Sequence, residues 1–193
     1  MATIREGHQA ALVVVDVQAG VMDGAWDAER VVANVARAVQ RARAAGVPVV
    51  WVQHSDDELP RGSDAWRWVP ELEPAGGEPL VHKSYNSAFE DTTLEDELDG
   101  LGATHLVLAG AATNWCIRAT AYGALDRGYD LTLVADAHTT ETMELEDGTK
   151  IEASSIINDL NTCMAWVAYP GRSSTTAAAA ALDFAAPGVH PGS

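Results

Sequence analysis

Leu106-Val107-Leu108-Ala109-Gly110-Ala111-Ala112-Thr113-Asn114-Trp115-Cys116-Ile117-Arg118 is the stretch on which the fold of this chain turns. Its apolar start suits a strand buried on both faces, and a glycine and two alanines end that run. Thr113 stands where a helix needs an N-cap. From Ile117 to Leu125 small and apolar residues recur at helical spacing, and Gly128 stops them. A strand, a tight turn and a helix aim backbone N–H groups and the positive end of a helix dipole at whatever lies beside the turn. Here that is Cys116, whose thiol is expected to ionise more easily for being there.

Outward from this unit the chain alternates strands and helices. Ala10 to Gln18 is valine-rich and ends in a carboxylate, Asp16, which is costly in a buried strand unless paired or used. Ala28 to Ala45 carries Val31, Val32, Val35, Ala36 and Val39 on one side and arginines on the other. Val47 to His54 is a second strand. Leu80 to Lys83 is a third, ending in lysine, and Glu90 to Gly100 is a short helix. Tyr129 to Ala135 is a fifth strand, Glu152 to Asn161 a helix, and Thr162 to Ala168 reads as a last strand holding Cys163 and Trp166. This alternation predicts an α/β fold. It is a single doubly wound three-layer α/β/α domain on a six-stranded parallel sheet with right-handed crossovers. Its bounds are residues 1–172. Residues 173–193, rich in Ala, Thr, Pro and Gly, read as a C-terminal tail.

In such sheets ligands bind beyond the carboxyl ends of the strands, where strand order reverses. Asp16, Lys83 and Cys116 all fall at such ends. Taken singly, a cysteine is a packing residue, a lysine a solvated strand end and an aspartate a loop acceptor. Their joint placement is what points to chemistry. A thiol assisted by an ammonium and a carboxylate is equipped for acyl transfer to water through a thioester. Backbone N–H groups at Ala112 and Cys116 would hold the oxyanion.

The 193 residues suffice for one core, and 47% of them are apolar. Two cysteines form no disulfide framework, and the N-terminus lacks an apolar leader, so a cytoplasmic protein is expected. A net charge of −16 disfavours nucleic acid and anionic membranes as partners. A small-molecule substrate is expected instead, bound by a homo-oligomer, a dimer or a tetramer. Ser55 to Pro79 is a long acidic loop with Trp66 and Trp68, read as a wall or lid. Its acids read by default as a solvated face, and the sharper reading is a preference for cationic amides or lactams. His54, Tyr85, Phe89, Trp115 and His138 lie near strand ends and are read as substrate-binding residues. Trp26, Trp66 and Trp68 are read as closing over the ligand.

The segments Leu12 to Gln18, Lys83 to Phe89 and Gly110 to Ile117, with Thr120-Ala121, Gly128-Tyr129 and Asp136-Ala137, resemble the isochorismatase-like cysteine hydrolase superfamily. The resemblance runs from about Ala10 to His138. It implies an Asp16–Lys83–Cys116 triad with Asp16 as general base and Lys83 orienting the thiolate. It also implies a cis peptide between Ala111 and Ala112 that turns an amide toward the oxyanion. Metal-binding relatives carry an Asp and two or more His after the second strand. Here that place reads Gln53-His54-Ser55-Asp56-Asp57, with no further His until His82. No metal and no cofactor are therefore expected. The resemblance implies hydrolysis of a C–N bond. Two alternatives stay open, a vinyl-ether hydrolase working through Asp16 and Lys83, and an oligomeric binding protein without turnover.

Overall fold

A computed structural model describes residues 2–184. Among these residues eight strands and five α-helices follow one another. They begin with β1 (Gln9–Val15), a short α1 (Ala19–Met22), α2 (Ala28–Ala44), β2 (Val49–His54) and β3 (Leu80–Lys83). After these come α3 (Leu94–Gly100), β4 (Ala103–Ala111), a wide π-type turn (Thr113–Ile117), α4 (Arg118–Asp126) and β5 (Asp130–Thr139). A two-stranded hairpin, β6 (Met143–Glu144) and β7 (Lys150–Ile151), precedes α5 (Ala153–Trp166), β8 (Ser174–Ala177) and a 3₁₀ turn (Ala179–Ala181). Six strands form one sheet in the order β3-β2-β1-β4-β5-β8, and every pairing in it is parallel. The expected doubly wound α/β fold is the fold observed.

β1 shows why the strands read as continuous apolar runs. Val13 and Val15 enter one core with Leu106, Leu108, Leu131 and Leu133, covered by Ala121 and Ala124 of α4 and Leu160 and Met164 of α5. Leu12 and Val14 enter the other, against Val31, Val35, Ala38 and Ala42 of α2. Alternate side chains are buried on opposite faces, so from Ala11 to Val15 no position on the strand is left polar. Strand order runs outward from β1 through β2 to β3, then restarts on the other side with β4. The switch point therefore lies between β1 and β4. At that seam Gly110 pairs with Val15. A Cβ on Gly110 would lie 1.9 Å from the Val15 carbonyl oxygen, and its φ of +132° suits glycine alone.

Two parts of the sequence reading are corrected. Thr162 to Trp166 is the end of α5 and no strand, so Cys163 and Trp166 ride on a helix; Val167 is its C-cap. The sixth strand comes from the segment assigned to the tail. Ser174–Ala177 pairs with Leu131–Val134, and Ala179 and Leu182 join the core. The domain thus runs past the bound of 172; of the expected tail, residues 185–193 lie outside the described residues. No helix among the described residues is long and apolar enough to cross a membrane.

Candidate active site

Asp16 immediately follows β1 and takes a left-handed φ of 52°. Lys83 ends β3, and His54 ends β2 as its register partner. Cys116 lies in the turn after β4. Strand ends thus deliver all three expected residues to one spot beside the switch point. Lys83 Nζ lies 2.6 Å from Asp16 Oδ2 with both side chains sealed from solvent (0% and 1% exposed), and it donates to Cys116 Sγ at 3.2 Å. It also donates to the Tyr85 carbonyl at 3.1 Å and lies 3.2 Å from His54 Nδ1. These last three contacts use the three ammonium protons. The approach to Asp16 is an ion pair too skewed for a hydrogen bond, and neither Asp16 oxygen has an aligned hydrogen bond among the described residues.

The electrostatics follow from burial. Desolvation raises the Asp16 carboxyl above the usual carboxylate range, and Lys83 offsets this only in part. Burial pushes the Cys116 thiol up to about 12, and the neighbouring Asp16 adds to the rise against the pull of Lys83. The expectation of an easily ionised thiol at a helix start is corrected. Loss of water and a carboxylate neighbour outweigh the dipole and the lysine. The resting site therefore holds a protonated thiol beside a base of raised proton affinity, an arrangement suited to moving that proton as the sulfur forms a bond.

The turn that carries Cys116 begins at a cis peptide between Ala111 and Ala112, as the resemblance implies. The Ala112 carbonyl accepts from Trp115 N–H and, one residue wider than an α-helix allows, from Ile117 N–H. Such wide turns recur at functional sites. Thr113 does not cap the helix. Its hydroxyl bonds His138 Nδ1 at 2.9 Å, and His138 Nε2 meets Asn161 Oδ1 at 3.1 Å. His138 is buried inside β5, where burial holds its imidazole down to about 4. It joins β5 to the Cys116 turn and to α5, and the assignment of His138 to substrate binding is corrected to this internal bridge.

Phe89 is corrected as well. It is core, stacked on Tyr129 at a centroid distance of 5.9 Å, under the Arg127 guanidinium, at the amino edge of the sheet. Tyr85 (56% exposed) and Trp115 (52% exposed) stand at the surface, two residues after Lys83 and one before Cys116. The long loop is tied down. Gln18 donates to the carbonyls of His54 and Trp66, Gln53 donates to the same Trp66 carbonyl, and Trp68 meets Trp51 edge-on at 5.1 Å. Gln18 went unread in the sequence. A buried amide two residues past a strand-end acid was the available signal. Asn114, within the cysteine turn, likewise accepts from Thr140 Oγ1 at 2.6 Å. His82 faces Trp66, and among the described residues no three His, Cys, Asp or Glu side chains converge to hold a metal ion.

Fold and site together define a doubly wound α/β protein with an Asp–Lys–Cys cluster at its switch point. Residues 10–162 match the family model of the Isochorismatase domain, and the chain belongs to the isochorismatase family. It is 40% identical over 139 residues to a streptothricin hydrolase of Streptomyces noursei, covering 67% of this chain and 54% of that protein. A ureidoacrylate amidohydrolase RutB of Variovorax paradoxus is 29% identical over 200 residues, covering 82% and 77%. The chain spans about half the length of the streptothricin hydrolases it matches. Among solved structures, an isochorismatase from Pseudomonas putida KT2440 superposes with a TM-score of 0.82 at 30% identity, covering 91% of each chain.

Proposed function

We propose that this protein is a cysteine hydrolase that cleaves a C–N bond of a small amide, ureido compound or lactam through a thioester. The observation that carries this reading is Lys83 Nζ, 3.2 Å from Cys116 Sγ and 2.6 Å from Asp16 Oδ2 at the sheet's switch point. The relatives named as acting on streptothricin and ureidoacrylate support the amide-type bond.

As the sulfur attacks the substrate carbonyl, the S–H proton passes to Asp16 and the carbonyl π pair moves onto oxygen. The N–H groups of Ala112 and Cys116 receive that oxyanion, a contribution of roughly 2.7–4 kcal/mol per donor. The carbonyl then re-forms, the C–N bond breaks, and Asp16 returns its proton to the departing nitrogen. Water adds to the thioester with Asp16 taking its proton. Collapse expels the sulfur, which recovers the proton as the acid leaves. Lys83 keeps its positive charge throughout and steadies the sulfur whenever it carries the negative charge.

The test is a panel of small amides, ureas and lactams assayed for released ammonia or amine, with acid-quenched enzyme weighed by mass spectrometry. Turnover with an acyl adduct on Cys116, both lost in Cys116→Ala, is the expected result. Amine release that survives Cys116→Ala removes the thioester, and cleavage of a vinyl ether by that variant would favour ether-type hydrolysis through Asp16 and Lys83.

A further inference from the structure

The lysine of this site is held by a residue pair that the proposed reaction does not itself use. His54 Nδ1 faces Lys83 Nζ at 3.2 Å, and the other ring nitrogen, Nε2, lies 2.9 Å from Asp56 Oδ2. A carboxylate only accepts, so Nε2 carries the ring proton and Nδ1 presents its lone pair to the ammonium. Asp56 is itself fixed, since its Oδ1 accepts the N–H groups of Glu58 at 2.9 Å and Leu59 at 2.8 Å. The hydrogen bond from His54, followed by that from Leu59, holds the Asp56 carboxyl below the usual carboxylate range. The backbone of His54 is clamped on both sides by Gln18, whose Oε1 accepts His54 N–H at 2.9 Å and whose Nε2 donates to its carbonyl at 3.0 Å. Ring and main chain are therefore set independently.

We propose that His54 is a positioning residue for Lys83. With Asp56 holding its outer nitrogen, His54 and the Tyr85 carbonyl take two ammonium protons and so turn the third onto the sulfur of Cys116. The alternative orientation is close at hand. Asp16 Oδ2 lies 2.6 Å from Nζ, yet among the described residues the carboxylate has no aligned donor. Without the lone pair of His54, the ammonium is free to rotate a proton onto Asp16. That rotation would strip the sulfur of its donor and weaken Asp16 as the base in one movement. The charged groups around His54 are Lys83 and Asp56 in contact and Asp16 beyond them.

This inference rests on the cysteine-hydrolase reading, and alkylation of the full-length protein by iodoacetamide separates the two. Carbamidomethylation of Cys116 is followed by peptide mass spectrometry from neutral to alkaline pH, with the half-buried Cys163 as internal reference. His54→Phe should slow Cys116 at neutral pH by about tenfold or more, the loss expected for one hydrogen bond to a charged group, and move its pH midpoint upward. His54→Gln, which restores an acceptor oxygen, should recover the wild-type rate to within about threefold, and Asp56→Ala should fall between them. Cys163 should be unchanged in all three. A His54→Phe profile identical to wild type, a His54→Gln variant as slow as His54→Phe, or equal slowing of both cysteines would each overturn the proposal. Amide turnover that survives Cys116→Ala, with the His54 series of alkylation rates intact, would instead sink the cysteine-hydrolase reading beneath it.

Discussion

Lys83 Nζ and Asp16 Oδ2 lie 2.6 Å apart with side chains 0% and 1% exposed, yet among the described residues the carboxylate oxygens have no aligned hydrogen bond. A buried pair of this kind is poor at stabilising a fold, because desolvating two charges costs about as much as their attraction returns. In the proposed reaction its use is to keep a base poised beside a thiol. Asp16→Asn tests this, because its two consequences run in opposite directions. Asp16 raises the thiol, so the neutral amide lets Cys116 ionise at lower pH than in wild type. The amide accepts no proton, so turnover falls by at least about 10²-fold. Faster alkylation alongside lost hydrolysis is the expected result; loss of both would mean that Asp16 only holds the site together. Lys83→Met, which strands the buried carboxylate, should cost about 3–5 kcal/mol in urea denaturation.

Gly110 is tested by Gly110→Ala. The added methyl would sit 1.9 Å from the Val15 carbonyl at a φ of +132°, so β1 and β4 must part beside Asp16. The expected cost is about 3 kcal/mol or more, and thermal unfolding measures it. Cys116 alkylation should change with it, since the displaced seam carries both Asp16 and the cysteine turn.

The parts of this molecule that the sequence made legible are those whose chemistry repeats along the chain. β1 and β4 are buried on both faces, so nearly every residue in them is apolar. Asp16, Lys83 and Cys116 stood out because each ends such a run. β8 was missed because Ser-Thr-Thr-Ala lies at the edge of the sheet, where little is buried and no apolar run is needed. The end of α5 was misread because Cys163, Val167 and the 83%-exposed Trp166 look like strand residues when their direction is unknown. Phe89 and His138 were misplaced for the same reason. Proximity to a strand end along the chain does not say which way a side chain turns. Proton affinity was invisible too, because the balance of burial, Asp16 and Lys83 at the thiol depends on distances that no spacing encodes.

Tyr85 and Phe89, four residues apart, should therefore part company under mutation. Phe89→Ala removes a ring packed between Tyr129 and Arg127 and should cost about 3–5 kcal/mol of stability. Tyr85→Ala trims an exposed ring and should leave stability within about 0.5 kcal/mol of wild type. Its main-chain contact to Lys83 survives the change, so Cys116 alkylation should hold while the KM for a turned-over substrate rises. A Tyr85→Ala variant with unchanged KM would remove that ring from the substrate pocket.

His138 is expected to contribute to the acid limit of the fold. Its imidazole is depressed from 6.5 to about 4, chiefly by burial, so the native state binds this proton more weakly than the unfolded chain does. The stability it contributes is fully present above pH 6.5 and is lost as pH falls toward 4, in total roughly 3 kcal/mol. Asp16 works in the opposite sense. Its raised pKa gives stability that is present below the unfolded carboxyl value of 3.8 and lost as pH rises through the folded one. The two slopes therefore partly cancel in wild type, and variants are needed to see either. In an Asp16→Asn background the acid loss due to His138 should stand out in urea denaturation at pH values between 6.5 and 4. Adding His138→Gln should flatten that slope at the expense of neutral-pH stability, since the bridge from Thr113 to Asn161 is broken or lengthened. A slope that persists in the double variant would assign the acid sensitivity to other groups and leave His138 a packing residue alone.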